Sequence, residues 1–187
     1  MNILAEYIPD HNILWLLKKV IESFYSTKPG IGLPLGNLTS QLFCNIYMNE
    51  FDRFVKHKLK AKYYIRYADD FVLFFESREW LAEQIPEIRD FLQGRLLLTL
   101  HPKKLSLKTL ASGVDFLGWV HFPDHRVLRT NTKKRMERRI TENPVPATYN
   151  SYLGSLRHGN TYKVQKELTK EYLLAQEVST YDLYTRY

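Results

Sequence analysis

Two adjacent carboxylates, Asp69 and Asp70, stand between two strongly β-prone apolar runs in the segment KYYIRYADDFVLFFE, residues 62–76. So short a gap predicts a hairpin with residues 63–68 and 71–75 as its arms and the acids at its tip. Tight hairpin turns want φ > 0 and usually take Gly or Asn, so two neighbouring negative charges need another reason to be there. A divalent cation supplies one, because Mg²⁺ favours one or two carboxylates together with substrate phosphates. An isolated Asp-Asp is more often a solvated acidic turn. Here Tyr63, Tyr64, Phe71, Phe74 and Phe75 predict a buried hairpin that fixes the acids in place, which favours a metal site.

A second chemical feature is basic. The net charge of +7 is uneven: residues 1–100 hold 12 Lys/Arg and 12 Asp/Glu, whereas residues 101–187 hold 15 against 8. The densest stretch is residues 126–139, where Arg126, Arg129, Lys133, Lys134, Arg135, Arg138 and Arg139 accompany only Glu137. A basic half beside an acid-tipped core predicts a polyanion grip next to a metal site. One such residue would pass as a solvated helix face; seven within fourteen make a stronger pattern. Weaker features carry less. His121, Asp124 and His125 in HFPDH offer too few ligands for a transition metal, and His158 reads as a capping or core residue. Cys44, the only cysteine, lies in an apolar run, excludes an internal disulfide and fits a reducing cytoplasm.

The elements that must position these groups follow from periodicity. With 44% hydrophobic and 14% aromatic residues, 187 residues can bury a core as one domain, or one with a small appendage. No apolar run approaches the ~20 residues of a membrane span, and the first residues lack the pattern of a secretory signal. Residues 9–25 predict a core-packing helix capped by Asp10 or Asn12. Residues 33–41, LPLGNLTSQ, lead into an apolar helix through Phe54. Gly36 there admits a close backbone approach, Asn37 or Thr39 is a candidate cap, and the helix N-terminus suits a phosphate or base edge. Residues 77–94 predict an amphipathic helix with the stripe Trp80, Leu81, Ile85, Ile88 and Leu92, a kink at Pro86 and an end at Gly94. Residues 96–100 and 105–107 predict strands around the basic turn HPKK, and residues 116–122, FLGWVHF, one arm of a second hairpin. A basic helix over residues 130–140, a linker at 143–146 and one or two helices over 148–177 complete the chain. Tyr149, Tyr152, Tyr162, Lys163 and Lys166 on the last of these could serve a nucleic-acid strand or a bundle exterior. Residues 181–187 read as a fraying end. The sum is an α+β fold, an antiparallel sheet backed by helices.

In this order, LPLGNLTSQ with its helix, YADD on a hairpin, LTLHPKK and FLGW resemble the palm of a reverse transcriptase, over residues 9–140. The resemblance implies a partial palm at residues 1–140 and a helical, thumb-like segment at 141–187. It implies that Asp69 is a metal-binding catalytic aspartate, with Asp70 beside it. Leu35, Gly36, Asn37, Gln41 and Tyr67 would line the template and incoming-nucleotide side. Lys104 would sit near the triphosphate, and Phe116, Leu117, Gly118 and Trp119 would grip the primer end. The implied chemistry is attack by a primer 3′-hydroxyl on an α-phosphate with two Mg²⁺, or Mn²⁺, ions. Substrates would be an RNA template, a DNA primer and deoxynucleoside triphosphates. The form LGNLTSQ resembles that of bacterial diversity-generating retroelement reverse transcriptases, which miscopy adenine and work with a basic accessory protein.

The chain departs from that family's pattern at one place. A second palm strand with another aspartate should precede the helix at 12–24, yet only MNILAEYIPDH stands there, with Pro9 opposing a strand. The expectation is an N-terminally incomplete chain, inactive alone, whose open sheet edge takes a complementing fragment or a second copy. The competing expectation is a non-catalytic RNA- or DNA-binding module on the same fold.

Overall fold

A computed structural model describes residues 1–23 and 38–184, with the backbone alone for Leu38 and residues 177–184. The chain forms two compact units, Met1–Leu107 and Lys108–Tyr187. The packing boundary thus falls well before residue 140, because the FLGW hairpin and the basic helix pack with the C-terminal helices.

The first unit holds α1 (Asn2–Tyr7), α2 (His11–Glu22), α3 (Leu38–Arg53) with a π-helical continuation (Phe54–Lys58), strands β1 (Tyr63–Tyr67) and β2 (Asp70–Phe74), and α4 (Arg78–Leu96). Its core joins α3 to α4 through Met48, Phe51, Phe54, Val55, Leu59, Ala61, Ile88, Leu92 and Leu96. Phe54 stacks on Phe91 at 4.1 Å, and Phe51 meets Phe71 of β2 at 4.7 Å. Full burial of side chains of this size stabilises by about 1.5–3 kcal/mol each, so this seam fixes where the hairpin lies.

Several expectations need correction. The helix expected over 9–25 is α2, His11–Glu22, and a separate short helix, α1, ends at Tyr7 ahead of Pro9. Asp10 caps α2 by accepting from the Asn12 and Ile13 amides at 2.8 and 3.1 Å. That helix is not core packing: Trp15 is 61% exposed, with Ile13 and Leu16 also exposed, and none of its residues is buried. Ser77 caps α4 by accepting from the Trp80 amide at 3.0 Å, but Gly94 does not end it. The helix carries Pro86 inside it and runs to Leu96, where Leu97 takes the left-handed conformation at φ 52°. The strand expected over 96–100 is therefore the last turn of a helix and a loop, and residues 105–107 form no strand. A short apolar run is compatible with either structure until a pairing partner decides.

The second unit is a three-stranded antiparallel meander, β3 (Val114–Phe116), β4 (Trp119–His121) and β5 (Arg126–Leu128), followed by α5 (Thr130–Glu142), α6 (Pro146–Leu156) and α7 (Tyr162–Tyr184). Pro146 occupies the first turn of α6, where its missing N–H costs nothing. Met136, Ile140, Leu156, Leu168 and Tyr172 form the core, with Tyr149 stacked on Tyr172 at 4.2 Å. Among the described residues no helix is long and apolar enough to cross a membrane.

Candidate metal and nucleic-acid site

The hairpin pairs Tyr63↔Phe74, Tyr64↔Leu73, Ile65↔Val72, Arg66↔Phe71 and Tyr67↔Asp70. Its two-residue turn is Ala68–Asp69, one position earlier than expected, and Asp70 is the first residue of β2. Ala68 supplies the positive φ, 52°, that such turns require. Alternation sends Tyr64, Arg66, Phe71 and Leu73 to one face, where Tyr64, Phe71 and Leu73 pack on the α3–α4 core. Tyr63, Ile65 and Tyr67 line the other face and are each more than half exposed. The hairpin is thus buried on one side only, correcting the expectation of a buried element. Its register places Asp70 beside Tyr67 on the exposed side.

Asp69 and Asp70 are both exposed. Neither carboxylate makes a hydrogen bond or ion pair with a described residue. Two hard, unengaged oxygen donors on adjacent residues fit a small divalent cation that completes its shell with water and phosphate oxygens. They do not make a closed protein cage: among the described residues, no three His, Cys, Asp or Glu gather where they could hold a metal ion.

What anchors the tip is a pair that sequence reasoning did not single out. Arg66 forks onto Asp52 of α3, with Nε to Oδ1 at 2.7 Å and Nη2 to Oδ2 at 2.6 Å. Its third nitrogen, Nη1, donates to the Ala68 carbonyl at 2.7 Å and to Asn45 Oδ1 at 3.3 Å. Tyr64 Oη adds a hydrogen bond to Asp52 at 2.7 Å. Burial raises the Asp52 carboxyl, but the bonds from Arg66 and Tyr64 outweigh it and leave the group below the usual carboxylate range. Burial, then the hydrogen bond to Asp52, pushes the Tyr64 phenol up. An Arg two residues before Ala68 on the inward-facing parity, and an Asp on the preceding helix, were the available signals. Cys44, also on α3, is half-buried, and burial followed by the Asp69 charge pushes its thiol up, keeping it an inert core group.

The other expected site residues scatter. Leu35, Gly36 and Asn37 lie outside the described residues. The helix of LPLGNLTSQ begins at Leu38, which places Thr39 within its first turn rather than at its cap, and leaves Gln41 exposed. Lys104 is exposed in a turn closed by its amide on the His101 carbonyl at 3.0 Å.

In the second unit, Leu117–Gly118 is itself the turn between β3 and β4, rather than part of one arm. Both residues have positive φ, 53° and 84°, as a type I′ turn demands. Leu117 projects, 46% exposed, while Trp119 packs on the loop between α6 and α7. A Cβ on Gly159 would stand 2.2 Å from the Trp119 ring, so only glycine fits beneath it. Arg126 lies 5.3 Å from the centre of the same ring, donates to the His158 carbonyl, and accepts at its own carbonyl from the Asn160 amide at 2.9 Å. His158 itself is exposed, so it is no core histidine. Among the other cations, Arg129 pairs with Asp115, Lys133 with Glu137 and Glu167, and Arg138 with Glu142. Lys134, Arg135 and Arg139 are exposed and form no ion pair with a described residue. With Arg138 they make one outward face of α5, at i, i+1, i+4 and i+5.

The reverse transcriptase (RNA-dependent DNA polymerase) family matches residues 6–121. That region holds the helix after LPLGN, the acid-tipped hairpin and the FLGW turn. The chain belongs to this family, and its helices with two small antiparallel sheets make the corresponding α+β, palm- and thumb-like fold. It is 27% identical over 172 residues to Protein YkfC of Escherichia coli, covering 71% of this chain and 43% of that protein. It is 21% identical over 180 residues to the putative COX1/OXI3 intron 2 protein of Saccharomyces cerevisiae, covering 64% of this chain and 21% of that one. The chain therefore spans less than half the length of these curated relatives.

Proposed function

We propose that this chain is the palm and thumb portion of an RNA-directed DNA polymerase that extends a DNA primer on an RNA template. The observation that carries the reading is the pair of exposed, unengaged carboxylates at the hairpin tip, within the stretch that matches the family. Asp69 and Asp70 would hold Mg²⁺, or Mn²⁺, which supplies charge neutralisation for phosphoryl transfer when bound. The chain's own residues do the rest. Arg66 and Asp52 fix the turn that carries Asp69. Tyr67 offers an exposed ring beside Asp70 against which a nucleotide can pack. Lys104 is a free cation for a triphosphate, with Gln41, Leu35, Gly36 and Asn37 on the nucleotide side and Phe116, Leu117, Gly118 and Trp119 at the primer end. Arg126 and Arg129 steady the second hairpin, while Lys134, Arg135, Arg138 and Arg139 face outward to meet phosphates. LGNLTSQ supports a diversity-generating retroelement as the setting, with an accessory protein as partner.

Two carboxylates without a third among the described residues make an open cage, so the isolated chain should synthesise little DNA. A complementing polypeptide with a further carboxylate strand, or a second copy, would raise that yield. Primer extension on an RNA template tests this. Asp69→Asn should abolish whatever Mg²⁺-dependent extension is seen with or without such a complement, and unchanged extension by Asp69→Asn would sink the site. Robust extension by the isolated chain would overturn its dependence on a complement.

The lack of a three-carboxylate group among the described residues also favours a second reading, a non-catalytic RNA-binding module. Under it, Asp69→Asn leaves RNA affinity untouched and no complement restores synthesis. Under both, replacing Lys134, Arg135 and Arg139 by Ala should lower the slope of log affinity against log salt by about 2, as expected for roughly 0.7 per lost phosphate contact on a single strand.

A further inference from the structure

We propose that Asp52 and Arg66 are positioning residues for the carboxylate tip, and that Asp52 acts chiefly by keeping the Arg66 charge off Asp69 and Asp70. The inference rests on reading those two aspartates as a cation site. A guanidinium that reaches the Ala68 carbonyl, one residue from Asp69, would be expected to fork onto a tip carboxylate, since charge-assisted forks are the stronger hydrogen bonds and carboxylates their natural acceptors. It does not. Both nitrogens of one edge are taken by Asp52, and the remaining nitrogen reaches the tip only through a neutral group, the Ala68 carbonyl. The Arg66 side chain is 10% exposed, so its direction is set by packing as well as by its partners. The bond to Ala68 also secures an alanine held at φ 52°, a conformation that costs an L-residue free energy and needs an external hold. One buried cation thus clamps the turn while its charge is neutralised from α3, leaving Asp69 and Asp70 to a metal.

This arrangement predicts a specific order of effects that mere loosening of the hairpin does not. Removing the negative partner frees a cation beside the site, whereas removing the cation frees only the Asp52 carboxylate, which does not compete with a metal ion for the tip. The probe is Mn²⁺ alone, titrated into the full chain and followed by the electron paramagnetic resonance signal of the free ion, with thermal melting alongside. Asp52→Asn should weaken Mn²⁺ binding about tenfold, the scale of one freed unit charge competing at a surface site. Arg66→Gln should weaken it less, and the double variant Asp52→Asn/Arg66→Gln should bind better than Asp52→Asn alone, a coupling that separate losses of packing would not give. Tyr64→Phe removes a hydrogen bond from Asp52 but no charge, so it should lower the melting temperature and leave Mn²⁺ affinity within about twofold.

If Asp69→Asn abolishes Mn²⁺ binding while Asp52→Asn binds like the wild type, the positioning role is wrong and the metal site stands. Failure of the double variant to recover affinity would overturn the electrostatic part, as would Arg66→Gln binding worse than Asp52→Asn. If Asp69→Asn binds Mn²⁺ as well as the wild type, the metal site itself is wrong and this inference falls with it. Should Asp52→Asn not fold, Asp52→Ser takes its place: it should bind Mn²⁺ more weakly than Asp52→Ser/Arg66→Gln, and the reverse order would overturn the electrostatic part.

Discussion

The two hairpins of this chain solve the same geometric problem with different forces. Each has a two-residue turn with a non-glycine residue at positive φ, Ala68 at 52° in one and Leu117 at 53° in the other. The first is tied down by charge: Arg66 spans Asp52, Asn45 and the turn carbonyl. The second is tied down chiefly by shape, with Trp119 seated over Gly159 and Arg126 stacked against its ring, while the exposed Arg129–Asp115 pair adds little. The difference teaches what each tip can present. An ionic clamp beneath the first leaves two exposed carboxylates that pair with no described residue. An aromatic notch beneath the second leaves an apolar Leu117 projecting, with the nearby cations of Arg126 and Arg129 already spent inside the fold.

The comparison can be broken most forcefully at the notch. Gly159→Val should cost about 3 kcal/mol, at the upper end for overpacking, because no backbone-neutral movement accommodates a group that close to a ring. For a unit of this size that is a fall in melting temperature of about 12–24 °C, read by circular dichroism, with Trp119 fluorescence shifting to the red.

Next in size is the clamp. Asp52→Asn should cost about 2 kcal/mol, the worth of hydrogen bonds to a charged group, and its effect should depend on pH. The folded carboxyl lies below its unfolded value, so its contribution is fully present above the unfolded value of about 4 and is lost as pH falls through the folded one. Melting temperatures of the wild type and Asp52→Asn should therefore converge on acidification below that point. The notch has no such titrating member, so Gly159→Val should lose the same amount throughout that range.

The smallest effects are at the turns themselves. Ala68→Gly and Leu117→Asn should each stabilise by about 0.5–1 kcal/mol, since Gly and Asn accept positive φ that Ala and Leu adopt under strain. In an Arg66→Gln background the gain from Ala68→Gly should grow, because the hold on the Ala68 carbonyl is gone. An equal gain in both backgrounds, measured by chemical denaturation, would separate the turn strain from the clamp.

Local pattern alone made the hairpin of residues 63–75 legible, together with the capping role of Asp10, the basic helix from Thr130 and the break before Pro146. Alternation, side-chain caps and proline act within a few residues, so they need no partner to be read. The acids stood out as a candidate site for the same reason, because two neighbouring carboxylates between β-prone runs are a local pattern. The apolar runs at 96–100 and 105–107 were not, because a run of leucines suits a helix end, a loop or a strand until another segment offers hydrogen bonds. Nor was the exposure of α2, whose apolar residues fall at helical spacing although none of them is buried.

What only the tertiary structure decided is which charges are free. Seven cations in residues 126–139 look equivalent in the sequence, yet Arg129, Lys133 and Arg138 pair with acids and Arg126 stacks on Trp119, while Lys134, Arg135 and Arg139 pair with no described residue. Asp52, Asp69 and Asp70 are likewise three aspartates by composition. Folding sets the first against Arg66 and leaves the other two open to solvent. Charge is fixed by the residue type, but its availability depends on distances between segments far apart in the chain, and those exist only once the chain has packed.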